Sequence, residues 1–463
     1  MSAERVVGYL PDETPQFWEL IVFALQQIVV MFPATVLVAL ITGFHVSTTI
    51  FASGLATLVF ILVTGRKIPL YYGSSFSYIA AIASIMGAEA FAGLSLNERI
   101  SIAQFGIVMS GFVSIAAGMI IKRSGKEAID RVLPPTVTGS IAIIIGLSLA
   151  ATAMNDASSV PLGVPEASMG MATSWAWVIA IITLLSTILY SVYLKGKASQ
   201  FPILFGLMTG YLSAMIIGAA TGIQFVNFTT VESNSILSLP IFTLPKPSAA
   251  ALVAIMPIAI ATIPESTAHI YQLDLYVKNL AKRKGSKKQY NIEDKLGLNL
   301  IGDGIGDIVS GFIGGPAGTN YGENISAMAI SRNFSVSVLM AAAIITMIIS
   351  CFTPLINIVY SIPKAVIGGL SIYLFGVIAA QGIAIIMEKQ VDLFSAKNLA
   401  VIAVILIVGL GGTFNYDGGM IPMFGVELPA IATAAVVGIL LNLMLSVGEK
   451  QKYAEAKKAE SLA

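Results

Sequence analysis

Two carboxylates stand in apolar surroundings, where an ionised side chain is costly. Glu323 follows a break rich in Gly and Pro, residues 314–318, and Glu265 lies inside a long apolar run with His269 four residues later. A spacing of four places Glu265 and His269 on one face of a helix. Burial favours the neutral form of a carboxyl group, and an imidazole exchanges protons near neutral pH. The pattern predicts a proton-coupled site; the alternative for His269 is a core residue satisfied by a backbone carbonyl.

The main chain next to Glu323 can supply hydrogen-bond donors. Gly322 lets a ligand approach the backbone closely, and the first amides of the helix predicted to follow have no intrahelical acceptor. An ionisable group at membrane depth costs about 2.5 to 3.5 kcal/mol on insertion scales, so it is expected to face a cavity or a partner. Donors beside a carboxylate acceptor suit a planar ligand that presents both N–H and C=O edges.

The composition of the remaining chain is that of a polytopic membrane protein. Hydrophobic residues make up 56% of the 463 residues, charged residues make up 11%, and the mean hydropathy is +0.86. One soluble core cannot bury so much apolar surface. The single cysteine, Cys351, excludes a disulfide framework, and a net charge of +1 gives no indication of nucleic-acid binding. The first apolar stretch is too long for a signal peptide, so it is expected to remain as a transmembrane helix.

Apolar runs of about 17 to 25 residues predict fourteen transmembrane spans. They begin near residues 17, 47, 71, 103, 133, 173, 201, 250, 296, 320, 336, 364, 397 and 429. With this count, every Lys and Arg except Arg99, Lys246 and Lys364 falls on one side. The positive-inside rule makes that side cytoplasmic. We therefore predict a multi-pass protein of the cytoplasmic membrane with both termini in the cytoplasm.

Two Tyr-Gly pairs indicate an internal repeat. Tyr72 and Gly73 open the third predicted span, and Tyr321 and Gly322 open the tenth, seven spans later. Because seven is odd, the second set of seven helices enters the membrane from the opposite side. The pairs predict an all-α fold with an inverted seven-plus-seven repeat and with substrate at the midplane between half-helices. The alternative is that two Tyr-Gly pairs coincide by chance.

Three stretches resemble bacterial uracil and xanthine permeases of the nucleobase-ascorbate transporter family. They are KIPLYYGSSFS at residues 67–77, Pro-Glu-x-x-x-His at residues 264–269 and Asn-Tyr-Gly-Glu-Asn at residues 320–324. The resemblance covers nearly the whole chain, and it implies short extended segments in spans 3 and 10 that cross at the substrate. It also implies a core domain of residues 17–121 and 250–359, a gate domain of residues 132–222 and 363–447, and a cytoplasmic tail of residues 448–463.

The same resemblance implies roles for single positions. Glu265 and Glu323 would accept hydrogen bonds from the N–H groups of a pyrimidine ring, while the amides of Phe76 and Gly322 would donate to its carbonyls. His269 is implied in proton coupling together with the two glutamates. The other implied positions are Ala34, Tyr321 and Phe375, which would pack against the faces of the ring. Beside the resemblance, Ser75 is a candidate for substrate binding, and Gln27, Asn324 and Asp303 are candidates for support or coupling.

The activity implied by the resemblance is secondary active transport rather than catalysis, with no cofactor. The expected reaction is proton-coupled import of a nucleobase, uracil in the first place, by alternating access. A monomer and a homodimer formed through the gate domain both stay open. Several positions differ from the family pattern; among them, Gln27 stands in place of a His and Phe375 in place of a Tyr. A purine such as xanthine, guanine or urate, and Na⁺ in place of H⁺, stay open as alternatives.

Two other classes of protein match parts of the sequence. Gly304 to Asp307 reads Gly-Ile-Gly-Asp, the nucleophile signature of intramembrane aspartyl proteases, but no Pro-Ala-Leu stretch accompanies it. Anion transporters share the inverted plan, but two glutamates at the site would repel an anion. For Asp303 and Asp307 the simplest interpretation is solvation at a helix end. The alternative for Asp303 is support of Glu323 or binding of a coupling cation such as Na⁺.

Overall fold

A computed structural model gives the fold of residues 8–124, 131–228, 235–423 and 426–460. This part of the chain is predominantly helical. Of the predicted cytoplasmic tail, residues 461–463 lie outside the described residues, and residues 448–460 belong to the last helix. The helices are α1 Phe17–Thr42, α2 Val46–Val63, α3 Ile79–Gly87, α4 Leu96–Ser124, α5 Pro135–Ser148, α6 Ala150–Ala157, α7 Met169–Tyr193, α8 Pro202–Thr221, α9 Ala249–Ile255, α10 Ile258–Arg283, α11 Leu296–Ile313, α12 Gly322–Ser331, α13 Val336–Ile349, α14 Thr353–Tyr360, α15 Lys364–Glu388, α16 Ala396–Leu406 and α17 Ala430–Glu460.

Ten helical stretches of the described chain are long and apolar enough to cross a membrane. Each of the ten overlaps a predicted span, which confirms a multi-pass helical membrane fold. Three of the four other predicted spans, near residues 71, 336 and 429, correspond to shorter apolar helices, and the fourth, near residue 320, corresponds to the ten-residue helix α12. A complete crossing needs about 20 residues of straight helix. The count of fourteen spans and the inverted repeat therefore stay predictions.

Two short antiparallel sheets interrupt the helices. Strand β1, Tyr72–Ser74, pairs with β2, Gly318–Asn320, and the predicted extended segments in spans 3 and 10 are thereby confirmed. Strand β3, Met420–Met423, pairs with β4, Val426–Pro429. This second hairpin lies between the predicted spans that begin near residues 397 and 429, where the sequence predicts no strand. A loop of mixed polarity carries no clear period-2 pattern, so its pairing was not predicted.

The chain divides into two compact units. The first unit comprises residues up to 122 and residues 150–374, and the second comprises residues 123–149 and 375 onward. Every predicted site residue except Phe375 belongs to the first unit. The predicted division into core and gate domains is a different partition of the chain and stays a prediction.

Within the first unit, α4 and α11 pack in very close contact. A Cβ atom added at Gly304 would lie 2.3 Å from the carbonyl oxygen of Gly111, and one added at Gly111 would lie 2.4 Å from that of Gly304. Gly118 and Gly297 repeat this reciprocal contact two turns away. Small residues allow such close approach of membrane helices. The contact fixes the position of α11, which carries Asp303 and Asp307.

The chain before α1 ties together the ends of the helices that carry the two glutamates. The amide of Tyr9 donates to the carbonyl of Arg332 after α12, and the amide of Phe334 donates to the carbonyl of Tyr9, both at 2.8 Å. At the end of α10, Lys284 Nζ lies 2.6 Å from a carboxylate oxygen of Glu13. This segment therefore links α10 to α12 at one end of the site.

Candidate substrate site

The centre of the candidate site is the pairing of β1 with β2. The register is Tyr72 with Asn320 and Ser74 with Gly318, and the amide of Tyr321 extends the ladder by donating to Tyr71 O at 3.0 Å. A helical stretch follows each strand: a 3₁₀ turn that begins at Phe76 leads into α3, and α12 begins at Gly322. Because the strands are antiparallel, the two helix N-termini lie at opposite ends of the ladder. The first amides of a helix have no acceptor within the helix itself.

A tyrosine ring from each segment covers a glycine of the other segment. A Cβ added at Gly73 would lie 2.3 Å from Cζ of Tyr321, and one added at Gly318 would lie 2.2 Å from Cε1 of Tyr72. The hydroxyl of Tyr321 donates to Ser74 O at 3.0 Å and is hydrogen-bonded to Thr35 of α1 at 2.9 Å. The strand crossing is therefore specified by two Tyr-Gly contacts that a side chain at either glycine would disrupt.

Helix α10 brings Glu265 and His269 to the two helix N-termini. Ser77 Oγ, in the turn before α3, donates to Glu265 Oε2 at 3.4 Å, and Glu265 lies close enough to Glu323 for the two carboxylates to interact electrostatically. Nε2 of His269 would lie 2.9 Å from a Cβ added at Gly322, the first residue of α12. Its Nδ1 is buried and makes no hydrogen bond within the described part of the chain. Glu265 thus lies beside the turn before α3, and His269 lies beside the start of α12. The helix face that the two residues share therefore extends across the strand pairing.

Glu323 is half-buried and lines a cavity of about 160 Å³. The cavity lies between α1, α12 and the segment from Ser199 to Leu204 before and at the start of α8, all of which belong to the first unit. Pro33 of α1 and Ile330 of α12 are among its walls. Glu323 therefore faces a cavity, as the sequence predicts for a carboxylate at membrane depth.

The residue after Glu323 anchors α12 to α1. Nδ2 of Asn324 donates to both the main-chain and the side-chain oxygens of Gln27, each at 2.9 Å. Both side chains are buried. Oδ1 of Asn324 has no hydrogen-bond partner among the residues described. The two supporting positions named from the sequence are therefore in direct contact.

The two aspartates of α11 are buried, so solvation at a helix end is wrong for both. Asp303 accepts hydrogen bonds from Ser266 at 2.7 Å, Asn299 at 3.2 Å and Asn320 at 2.8 Å. It thereby joins α10, α11 and β2, and its roles beside Glu323 or a cation stay predictions. Among the described residues, no group of three or more His, Cys, Asp or Glu side chains is arranged to hold a metal ion.

The remaining predicted positions are distributed over both units. Ala34 is buried in α1 beside Thr35, and Phe76 is half-buried at the start of the turn before α3. Ser75 is buried, donates its amide to Ala317 O at 2.9 Å and accepts from the amide of Ser77. Phe375 is buried in the second unit, and its contact with substrate stays a prediction.

Several residues of the site carried no usable signal in the sequence. Thr35, Ser77, Asn299 and Ser266 bind Tyr321, Glu265 or Asp303, yet Ser, Thr and Asn are frequent in membrane helices and usually bond to their own backbone. For Tyr72, the sequence indicates only a place in one of the two Tyr-Gly pairs. Its hydrogen bond to Asp307 could not be read from spacing, because the two residues are far apart in the chain.

Comparison with known proteins identifies the family. The profile of a family described as "Permease family" matches residues 18–418. The chain belongs to this permease family. A relative from Bacillus caldolyticus named uracil permease is 33% identical over 441 residues, which cover 94% of each chain. A second, from Bacillus subtilis (strain 168) and also named uracil permease, is 32% identical over 460 residues, which cover 98% of each. The resemblance noted in the sequence is confirmed.

A solved structure supports the fold of the permease independently. The murine Solute Carrier 26 family member A9 anion transporter in the inward-facing state matches with a TM-score of 0.66 and 13% identity, over 95% of this chain and 69% of that chain. At this identity the similarity concerns the fold alone. It agrees with a polytopic helical transporter fold.

Membership in the family also decides between protein classes. The permease is a transporter and not an enzyme, so the Gly-Ile-Gly-Asp stretch at residues 304–307 is not a protease signature here. In the structure this stretch lies inside α11. Asp303, directly before it, and Asp307, its last residue, both accept hydrogen bonds.

Proposed function

We propose that the permease imports a nucleobase, uracil in the first place, across the cytoplasmic membrane in symport with protons. Two observations support the substrate: full-length relatives carry the name uracil permease, and two half-buried glutamates lie beside two helix N-termini. The second observation carries the proposal, because a pyrimidine presents alternating N–H donors and C=O acceptors. Carboxylates and main-chain amides complement that edge.

In this proposal the groups at the crossing share the binding of the base. Glu265 and Glu323 accept the ring N–H groups, and the amides of Phe76 and Gly322 donate to the carbonyls. Ala34 and the rings of Phe76 and Tyr321 enclose the faces of the base, and Ser75 shapes the turn before α3. An anion is disfavoured, because two carboxylates would repel it. A purine of the same edge chemistry is the second candidate.

Proton coupling is proposed for Glu265, Glu323 and His269. A proton carrier needs a group that changes charge between the two faces of the membrane, and carboxyl and imidazole groups do so. The position of His269 supports this role, because its Nε2 lies beside Gly322 at the start of α12. Na⁺ is less well supported, because the carboxylate of Asp303 already accepts three hydrogen bonds.

The transport cycle is proposed to be alternating access. In the inverted seven-plus-seven plan, the core domain of residues 17–121 and 250–359 rocks against the gate domain of residues 132–222 and 363–447 around a midplane site. Both termini face the cytoplasm in this arrangement, and two copies pair through their gate domains. The similarity in fold to an anion transporter in the inward-facing state supports such a cycle without specifying its cargo.

Uptake of radiolabelled uracil into proteoliposomes under an inward proton gradient tests the proposal. We expect saturable uptake that collapses with a protonophore and is unaffected when Na⁺ replaces K⁺. Unlabelled xanthine, guanine, thymine and uridine are the competitors. Uptake driven by Na⁺ alone would contradict proton coupling, and competition by xanthine without uracil transport would assign a purine to the same site.

His269→Ala should lose the response to the proton gradient while the protein folds. A coupling free energy between two bound ligands is about 1 to 3 kcal/mol, so stimulation of uptake by the gradient should fall by about fivefold or more. The measurement is initial uptake against external pH. His45→Ala is the matched control, because His45 is the other histidine and its ring is hydrogen-bonded to Asn97 at 2.7 Å, in a different part of the first unit. An unchanged pH profile in His269→Ala would remove this residue from the proton pathway.

A further inference from the structure

The carboxylate of Asp307 has no task in the proposed transport mechanism, yet it contacts both strands of the crossing. It is 2% exposed in α11. Its Oδ1 accepts the amide hydrogen of Gly318 in β2 at 2.8 Å and the hydroxyl hydrogen of Tyr72 in β1. One oxygen atom therefore holds one donor from each strand.

The ring of Tyr72 is confined to a slot that aims its hydroxyl at Asp307. A Cβ added at Gly306 would lie 2.8 Å from Cε2 of Tyr72, and one added at Gly318 would lie 2.2 Å from Cε1. The ring thus lies in close contact with α11 on one side and with β2 on the other. A hydrogen bond from a pre-oriented donor to a carboxylate loses little entropy and is stronger than one between neutral groups.

The main chain of β1 is held on its other side by α2. Ser53 and Thr57 hydroxyls donate to Tyr72 O, each at 2.9 Å, and the amide of Tyr72 donates to Thr57 Oγ1 at 3.0 Å. These bonds fix β1 to α2. Strand β2 is bonded to α11 at both of its ends, by Asn320, which donates to Asp303, and by Gly318, which donates to Asp307. Of these two aspartates, Asp307 is the one that also binds β1.

We propose that Asp307 is a positioning residue for substrate binding, which acts through Tyr72 and the amide of Gly318 to fix the register of β1 against β2. The two ends of this ladder carry the helix N-termini at Phe76 and Gly322. A shift of one strand along the other therefore moves the amide donors at Phe76 relative to those at Gly322. The effect on substrate rests on the proposed function, whereas the effect on the strand register does not.

Three variants and one control separate positioning from general stability. Asp307→Leu removes the acceptor of both donors, Asp307→Asn keeps an acceptor oxygen without the charge, and Tyr72→Phe removes one donor. Tyr71→Phe is the control, because Tyr71 is an equally buried tyrosine whose hydroxyl is hydrogen-bonded to Thr346 at 2.9 Å, away from Asp307.

The first readout is hydrogen–deuterium exchange of the peptide that contains Gly318, in the purified full-length protein without substrate. Loss of a hydrogen bond to a charged group should speed exchange at this amide by about tenfold or more in Asp307→Leu. We expect a smaller increase in Asp307→Asn and none in Tyr71→Phe. Unchanged exchange in Asp307→Leu would overturn the proposal.

The second readout is uracil binding and uptake by the same variants. We expect the Kd and KM of Asp307→Leu to rise about tenfold at a nearly unchanged maximal rate, with partial rescue in Asp307→Asn. If instead the maximal rate of Asp307→Leu falls together with its thermal stability, and Tyr71→Phe behaves in the same way, the effect is general destabilisation. That result would overturn the positioning role. If Asp307→Leu does not fold, Asp307→Asn is read by the same two criteria. A wild-type protein that binds no nucleobase would refute the proposed function, and exchange at Gly318 would still decide whether Asp307 holds the strands.

Discussion

Glu323→Gln and Glu265→Gln should each lower uracil uptake by about thirtyfold or more, since removing one partner of a buried charged hydrogen bond costs about 2 to 5 kcal/mol. Gln has nearly the same shape as Glu, so the cavity beside Glu323 is preserved. The substituted amide, however, carries no charge, cannot carry a proton and can turn an N–H group toward the ring N–H. Uptake into proteoliposomes and uracil binding by calorimetry are the measurements.

Glu166→Gln is the matched control for these two variants. Glu166 is exposed in a 3₁₀ turn before α7, so the same chemical change there should leave both binding and uptake unaltered. The two site variants should also differ from each other. Glu265 lies on the same helix face as His269, so Glu265→Gln should flatten the pH dependence of any residual uptake, whereas Glu323→Gln should mainly abolish binding. Full binding by Glu323→Gln would remove it from the substrate site.

Gly318→Ala should disable the permease through the strand crossing rather than through the carboxylates. The added Cβ would lie 2.2 Å from Cε1 of Tyr72 and 2.6 Å from the carbonyl oxygen of Gly73. The second atom belongs to the backbone and cannot rotate away, so β2 must move. Overpacking of this kind costs about 1 to 3 kcal/mol and displaces neighbouring atoms. We expect a lower unfolding temperature in detergent and loss of uracil uptake.

Gly87→Ala provides the comparison for that substitution. Gly87 ends α3, and a Cβ added there meets no atom within 4 Å. Its uptake and unfolding temperature should match those of the wild type. If Gly318→Ala were as active as Gly87→Ala, close packing at the crossing would not be required for transport.

Much of the candidate site could be predicted without coordinates, for a simple physical reason. A charged side chain in an apolar run is expensive, so Glu265 and Glu323 stand out against their surroundings, and the four-residue spacing adds His269. Long apolar runs likewise predict helices because the bilayer leaves the backbone no other partner. Ten of the predicted spans are long apolar helices in the structure.

Hydropathy could not distinguish a complete span from a broken one. The stretch at residues 318–331 is apolar enough to suggest a single crossing, but it consists of a three-residue strand and a ten-residue helix. Whether such a segment is extended depends on whether a partner strand lies beside it. That partner, β1, comes from the other half of the chain.

The sequence by itself therefore determined the membrane class, the helical content, and the glutamates and histidine of the candidate site. Only the tertiary structure decided which distant residues bind one another: Tyr72 with Asp307, Tyr321 with Thr35, and Asn324 with Gln27. The reason is that the cost of desolvating a charged side chain follows from the apolar residues next to it in the sequence, so a single position is enough to show it. A hydrogen bond between two buried polar groups depends on the distance between them, and the folded chain sets that distance.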